Sequence, residues 1–322
     1  MPLVGRAVGF LDQLGLRAGD RLLTLLPNTP ETFALGLAAM LEGVVQVALP
    51  ADLGSSELAP IVADASPHVV ALGENTEASA GDIRTVHFGA AALDRSLARE
   101  PSARWPRTRP MAYTSGTTGA RKGVYVGVHE PRWGEAMVTD ELSTFDHRHG
   151  DRHLVVSPLY HSGPFRFAAV TALTGGQVAV MPHFSAELFR DALRRLRPAS
   201  LFCVPTHLRR LLDLPATSAD DLASLQLLAH AGAPCPVDLK EHVLELAPEG
   251  AVWEFYGSTE GQFTVCSPQV WRTAPGTVGR ARPGRTVSVR DPNDDGVGTV
   301  WVTAPWHARW EYWRDPVKTA AS

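Results

Sequence analysis

Residues 21–49 place a helical segment between two short apolar runs, and that order commits this stretch to a parallel α/β arrangement. The run at 21–26 is apolar and strand-length. Thr29, Pro30 and Glu31 then open a helix, with a capping side chain followed by a proline at the first helical position. Residues 33–41 carry the helix, Gly43 ends it, and 44–49 form the next buried strand. Two parallel strands need such a crossover, whereas an antiparallel pair could be joined by a tight turn. Further strands are expected at 69–72, 85–88 and 111–114. A second series follows, with strands at 154–157, 177–181, 200–204, 225–229 and 251–255, and amphipathic helices at 185–196 and 236–246. After Thr264 glycine and proline become frequent, strands shorten, as at 286–290 and 298–303, and helical patterns lapse, which fits a small barrel or sandwich.

The strand at 111–114 runs into YTSGTTGARKG, residues 113–123. Gly116 and Gly119 free the backbone to turn successive N–H groups toward one anion. Ser115, Thr117 and Thr118 add hydroxyl donors, and Lys122 adds a mobile point charge suited to phosphate. The GxxxxGK[ST] spacing of the common P-loop is absent. Alone, the string reads equally well as a flexible Gly/Thr surface loop.

With 322 residues the chain can build more than one lobe. Apolar residues make up 44%, charged residues 20%, and the net charge is −4, so no clustered basic face for nucleic acid is expected. Apolar runs stay below the roughly 18 residues of a membrane span, and no secretory leader pattern opens the chain. Cys203, Cys235 and Cys266 are scattered and odd in number, which suits a reducing, cytoplasmic setting and small buried hydrophobes rather than disulfides.

The phosphate-loop string resembles that of the adenylate-forming superfamily of acyl-CoA synthetases, nonribosomal adenylation domains and luciferases. SPLYHSGPF (157–165), HAGAPCP (230–236), EFYGSTEG (254–261), GTVGRARPG (276–284) and WEYWRDPVKTAAS (310–322) look like the motifs that follow it in that family, in the same order. The wording of several of them is similar to bacterial fatty-acyl and bulky-acid CoA ligases. The resemblance implies two parallel-sheet αβ subdomains, layered αβαβα, plus a small β-barrel-like subdomain. The expected divisions are an N-terminal helix at 1–18 packing on the second lobe, a first subdomain at 19–130 ending in the phosphate loop, a second at 131–262 with the acyl and adenine sites, and a β-rich one at 263–322.

The resemblance also implies roles for residues. Thr114, Ser115, Gly116, Thr117, Thr118, Gly119 and Lys122 would hold the phosphates of ATP. Ala231, Gly232, Ala233 and Pro234 would wall the base, Tyr256 would stack on adenine, and Gly257 would permit close backbone approach. Thr259 would bond the α-phosphate, and Glu260 would hold Mg²⁺ together with phosphate oxygens. His161 would sit beside the substrate carboxylate. Phe165, Phe202, Val204, His207, Ala231 and Trp253 would line an apolar acid tunnel. Taken singly, Tyr256 reads as a core aromatic, Glu260 as a surface charge, AGAP as a tight turn and His161 as a half-buried histidine. The histidines of DHRHGDRH (146–153) lie in a hydrophilic loop without a completed ligand set, so that metal reading is set aside.

The implied chemistry is attack of a carboxylate on the α-phosphorus of ATP, giving an acyl-adenylate that CoA or a carrier-protein thiol captures. The acid is fatty, or bulky aromatic or alicyclic. No carboxylate stands where amino-acid-activating relatives pair an α-amino group, which weakens that alternative. The family's pattern continues beyond residue 322 into a lid domain with a catalytic lysine and most of the CoA tunnel. Residues 1–322 are therefore expected to bind ATP and acid and to be impaired in thioester formation, and a non-catalytic nucleotide- or acyl-binding module remains the alternative from a different class. A dimer or a separate lid-bearing partner is left open; no membrane span and no nucleic-acid partner is expected.

Overall fold

The computed structural model describes residues 2–114, 121–145 and 150–321, and the side chain of Thr114 is outside that description. The chain forms two units, one of Met1–Val138, Pro158–Leu173 and Trp310–Ser322, the other of Thr139–Ser157 and Thr174–Arg309.

In the first unit the parallel sheet has the order β2-β1-β3-β4, from β1 (Arg21–Leu25), β2 (Val45–Leu49), β3 (Val69–Gly73) and β4 (Thr85–Phe88). β1 is the run RLLTL, buried over its last four residues, as expected of a parallel strand covered on both faces. α1 (Pro2–Leu14) precedes it. α2 (Pro30–Glu42) starts where Thr29 accepts the Thr32 N–H at 3.2 Å and ends at Gly43, whose φ of +77° suits a residue without a β-carbon. α3 (Ser55–Ala65) covers one face, where Leu58 and Ile61 meet Leu23, Leu25, Val45 and Leu72. α4 (Ala90–Asp94) follows β4. Contrary to the expectation that it packs on the second lobe, α1 lies within this unit against α2 and α4, because its apolar stripe of Val4, Ala7, Val8 and Leu11 is buried there and Phe10 meets Phe88 at 5.0 Å.

β5 (Ala112–Thr114) pairs antiparallel with β6 (Lys122–Tyr125), and the strand Glu311–Tyr312 completes a three-stranded sheet on the other side of β6. The phosphate-loop segment thus joins two antiparallel strands instead of following a strand of the parallel sheet. Residues 310–322, expected in a β-rich lobe, belong to this unit through that pairing. So does α6 (Ser162–Leu173): Phe165 packs on Phe33 with centroids 5.8 Å apart and fills the space over Gly36, where a β-carbon would lie 2.6 Å from its ring. α5 (Pro131–Phe145) belongs to this unit up to Val138.

The second unit holds a five-stranded parallel sheet in the order β11-β10-β9-β7-β8, from β7 (Arg152–Val155), β8 (Gln177–Val180), β9 (Ser200–Cys203), β10 (Leu227–His230) and β11 (Val252–Glu254). α7 (Ala186–Leu196), α8 (Pro205–Leu212), α9 (Ala219–Leu222) and α10 (Val237–Leu246) cover it, burying Phe189, Leu193, Leu208, Leu239 and Val243 against Leu201, Leu228 and Val252. Beyond it, β12 (Thr264–Val265) pairs with β13 (Arg280–Ala281), and β14 (Thr286–Arg290) with β15 (Thr299–Thr303), as antiparallel two-stranded ladders. Among the described residues these do not close into the expected barrel. Helices also persist past Thr264: α11 (Pro268–Thr273) is started by Ser267, which accepts the Val270 N–H, with Pro268 in its first turn. No helix among the described residues is long and apolar enough to cross a membrane.

Candidate active site

The parallel register of the second unit sets four loop starts side by side. Val155 pairs with Phe202, Cys203 with His230, and His230 with Glu254. The chain therefore leaves β7, β9, β10 and β11 at one end of the sheet, carrying Ser157, then Val204 and His207, then residues 231–234, then residues 256–260. The carboxyl ends of parallel strands are where open α/β sheets bind ligands.

Each turn has a local cause. Ala231 is buried, and its N–H donates to the Cys203 carbonyl at 3.4 Å. Gly232 takes φ +89°, and a β-carbon there would touch Val204 Cγ1 at 3.4 Å, so this is a left-handed turn pressed against the neighbouring loop. Gly232, Ala233 and Pro234 are exposed. After β11 the chain forms a tight hairpin. Ser258 N–H donates to Gly261 O at 2.8 Å, Gly261 N–H to Ser258 O at 3.2 Å, and Phe263 N–H to Tyr256 O at 2.9 Å. Thr264 Oγ1 accepts the Tyr256 N–H at 3.1 Å. Thr259 and Glu260 stand half-buried at the hairpin tip. Tyr256, an aromatic that could have joined the core, is instead 44% exposed, with the Phe263 ring 6.1 Å away.

The residues expected to contact the acid divide between the units. In the second, Phe202 and Phe255 are 5.8 Å apart, Trp253 packs on Phe145 at 6.2 Å and donates its indole N–H to Gly250 O, and Val204 begins α8. His207 stacks on Phe184 at 4.0 Å, and its Nδ1 lies 3.4 Å from the hydroxyl of the buried Ser157. Burial, with help from the charge of Arg210, brings the His207 imidazole down to about 4. Phe165 is in the first unit, built into its packing on α2. His161 stands just before α6 with its ring 4.3 Å from that of Tyr160; it is exposed, yet the protein around it lowers its pKa by desolvation.

Lys122 opens β6, opposite Thr114 on β5, and its ammonium lies 5.3 Å from the centroid of the Tyr312 ring. Lys318 approaches the same ring at 5.9 Å. Ser115, Gly116, Thr117, Thr118 and Gly119 lie outside the described residues, as do Asp146, His147, Arg148 and His149 of the histidine-rich string.

Two buried charged groups beneath the loops escape a reading of the sequence. Lys240, on α10, is in contact with Glu254 and His230, the last residues of β11 and β10. Its one signal is its place on the buried stripe of α10, three residues before Val243. Arg282 is 1% exposed and donates to Glu141 at 3.3 Å and Thr144 at 2.9 Å on α5, and also to Gln262 beside the hairpin. Asp140 joins it, 3.1 Å from Arg282 and 2.8 Å from Arg285. Nothing in GRARPG separates that arginine from its exposed neighbours.

The long-chain-fatty-acid–CoA ligase FadD13 of Mycobacterium tuberculosis is 29% identical over 98% of this chain and 66% of its own length. A feruloyl-CoA synthase of an Amycolatopsis species is 30% identical over 80% of this chain and 52% of its own length. The chain thus spans less than two thirds of either relative. The crystal structure of the N-terminal domain of FACL13 from Mycobacterium tuberculosis matches with a TM-score of 0.82 at 27% identity, over 99% of this chain and 84% of that one. The AMP-binding enzyme family matches continuously from residue 3 to residue 313, and the chain belongs to that family.

Proposed function

We propose that this chain activates a carboxylic acid with ATP, forming an acyl-adenylate and releasing pyrophosphate, in the manner of an acyl-CoA synthetase. The observation that carries the reading is the register of His230 with Glu254, which sends the small-residue turn at 231–234 and the hairpin bearing Tyr256, Thr259 and Glu260 out of one end of the sheet. The acid would be fatty, or bulky aromatic or alicyclic; the names of FadD13 and the feruloyl-CoA synthase support both options.

A carboxylate oxygen attacks the α-phosphorus, the bond from that phosphorus to the bridging oxygen breaks, and pyrophosphate leaves with the electron pair. Such transfers depend mainly on positioning and charge neutralisation. Tyr256 would stack on the base against residues 231–234, Thr259 would bond the α-phosphate, and Lys122 would meet the outer phosphates. His161 would orient the carboxylate. Phe202, Val204, His207, Ala231 and Trp253 would contact the acyl group. Magnesium prefers one or two carboxylates plus phosphate oxygens, and the hairpin tip offers Glu260; bound there it would neutralise triphosphate charge.

ATP–pyrophosphate exchange with fatty, aromatic, alicyclic and amino acids tests this, beside binding of a non-hydrolysable ATP analogue. Exchange that depends on an apolar acid is the expected result. Analogue binding without exchange for any acid would favour a binding module, and exchange with amino acids alone would overturn the acyl assignment.

A further inference from the structure

Lys240 has no exposed side-chain surface, and its ammonium reaches the ends of two neighbouring strands. Nζ donates to Glu254 Oε2 at 3.3 Å and contacts His230 Nε2, which is itself 3.8 Å from the same carboxylate oxygen. His230 is 0% and Glu254 5% exposed. A lysine donor at Nε2 places the proton of the neutral imidazole on Nδ1, a buried atom without a partner among the described residues. Burial, followed by the charge of Lys240, holds His230 well below its usual pKa. Burial also lowers Lys240 and raises Glu254, against their mutual attraction. Cys203, Cys235 and Cys266 stand around the group, with thiol pKa values raised by burial.

Replacing a buried ion pair by well-packed apolar residues is often neutral or stabilising, so net stability does not explain this one. Fixed position does. His230 immediately precedes the 231–234 turn, and Glu254 stands two residues before Tyr256. The backbone of Glu254 is also clamped: its carbonyl accepts the Cys266 N–H at 2.7 Å and its N–H donates to the Cys266 carbonyl at 3.0 Å. We propose that Lys240 is a positioning residue that, through Glu254 and His230, fixes the 231–234 turn relative to the 256–262 hairpin. The consequence for ATP rests on the function proposed above; the consequence for the two loops does not.

The near-isosteric double variant Lys240→Met/Glu254→Gln tests it, by hydrogen exchange followed peptide by peptide on the whole chain. Exchange at 231–235 and 256–262 is expected to rise at least about tenfold, with β9 and the core of β10 unchanged, because local opening is measured separately from global unfolding. If exchange also works as proposed, the KM for ATP rises about tenfold while kcat stays within about twofold. Unchanged loop exchange, or a uniform rise over the second unit, overturns the positioning role. Loosened loops in a protein whose parent catalyses no exchange would keep the positioning role and remove the ATP-activation reading. If the double variant does not fold, Glu254→Asp, which keeps the charge and shortens its reach, is expected to loosen the same loops about threefold, and protection equal to the parent's overturns the proposal.

Discussion

Gly257 and Gly261 face each other across the hairpin so closely that a β-carbon on Gly257 would lie 2.4 Å from the Gly261 carbonyl oxygen. The next nearest atom, Gln262 Cα at 2.9 Å, is also backbone and cannot rotate away. Gly257→Ala must therefore spread the hairpin and displace Tyr256 and the Thr259–Glu260 tip. The expected cost is about 1–3 kcal/mol of stability, typical of an overpacked methyl group. ATP affinity, read by calorimetry, is expected to fall about tenfold or more. A variant that binds ATP like the parent would mean that the hairpin does not touch the nucleotide.

Lys122 lies over the Tyr312 ring at 5.3 Å, an arrangement worth about 0.5–1 kcal/mol at a partly exposed site. Lys122→Ala is therefore expected to leave the melting temperature nearly unchanged. If its charge serves the outer phosphates, ATP affinity falls about tenfold while AMP affinity moves less than about twofold. Equal weakening of both nucleotides would remove that role.

The central parallel strands β1, β2, β3, β9 and β10 were legible because both faces of each are buried. Runs such as LLTL and VQVAL need no partner to be recognised, and the observed ends fall within a few residues of those read from sequence. The pairing of β6 with Glu311–Tyr312 was not legible, since four and two residues carry no periodic signal and the partners are remote in sequence. The short α11 was missed although Ser267-Pro268 is an ordinary helix start, because the surrounding glycines and prolines dominate the composition. In the candidate site, glycines announced the turns: Gly232 and Gly257 stand where a β-carbon would be strained or would clash. The charges beneath those turns gave no such notice. A lysine on a helix, like Lys240, or an arginine among exposed arginines, like Arg282, reads as a solvated surface group until the fold removes the water.

Asp140 anchors the second of those buried groups. Burial alone would raise its carboxyl pKa, but the hydrogen bonds from Arg285 and the charges of Arg282, Arg285 and His307 outweigh it and hold the group below the usual carboxylate range. A depressed carboxylate contributes stability above its unfolded pKa and loses it as the pH falls through the folded value. Asp140→Asn leaves Arg282 and Arg285 without that carboxylate, at an expected cost of about 3 kcal/mol at neutral pH, as for one partner removed from a buried pair. The gap between variant and parent is expected to narrow as the pH falls below the ordinary carboxylate value of 3.8, where the unfolded chain takes up a proton, and to close once the folded carboxylate is protonated at its lower value. Urea unfolding at neutral and acid pH measures both, and a gap that stays constant with pH would show that packing, not charge, holds this corner.

His207 also costs stability towards acid pH, in a window that lies higher on the pH scale. Its imidazole is lowered to about 4 by burial and by Arg210, from an ordinary 6.5. Between those values the unfolded chain takes up a proton that the folded protein refuses, so stability falls as the pH drops from 6.5 towards 4. Below the lower value both states are protonated and the slope from this group ends. A separation of about 2.5 units at 1.36 kcal/mol each is on the order of 3 kcal/mol, an upper figure for a ring that keeps some contact with solvent. His207→Gln keeps a polar neighbour for Ser157 and removes the titration. It is expected to leave stability at neutral pH within about 1 kcal/mol of the parent and to flatten the acid slope. Some slope will persist, because His230 is held neutral by burial in the same way. Denaturant midpoints taken at neutral pH, near pH 5.5 and near pH 4 decide it: a variant with the parent's full slope would mean that His207 is charged in the folded protein, and its place in an apolar acyl wall would have to be given up.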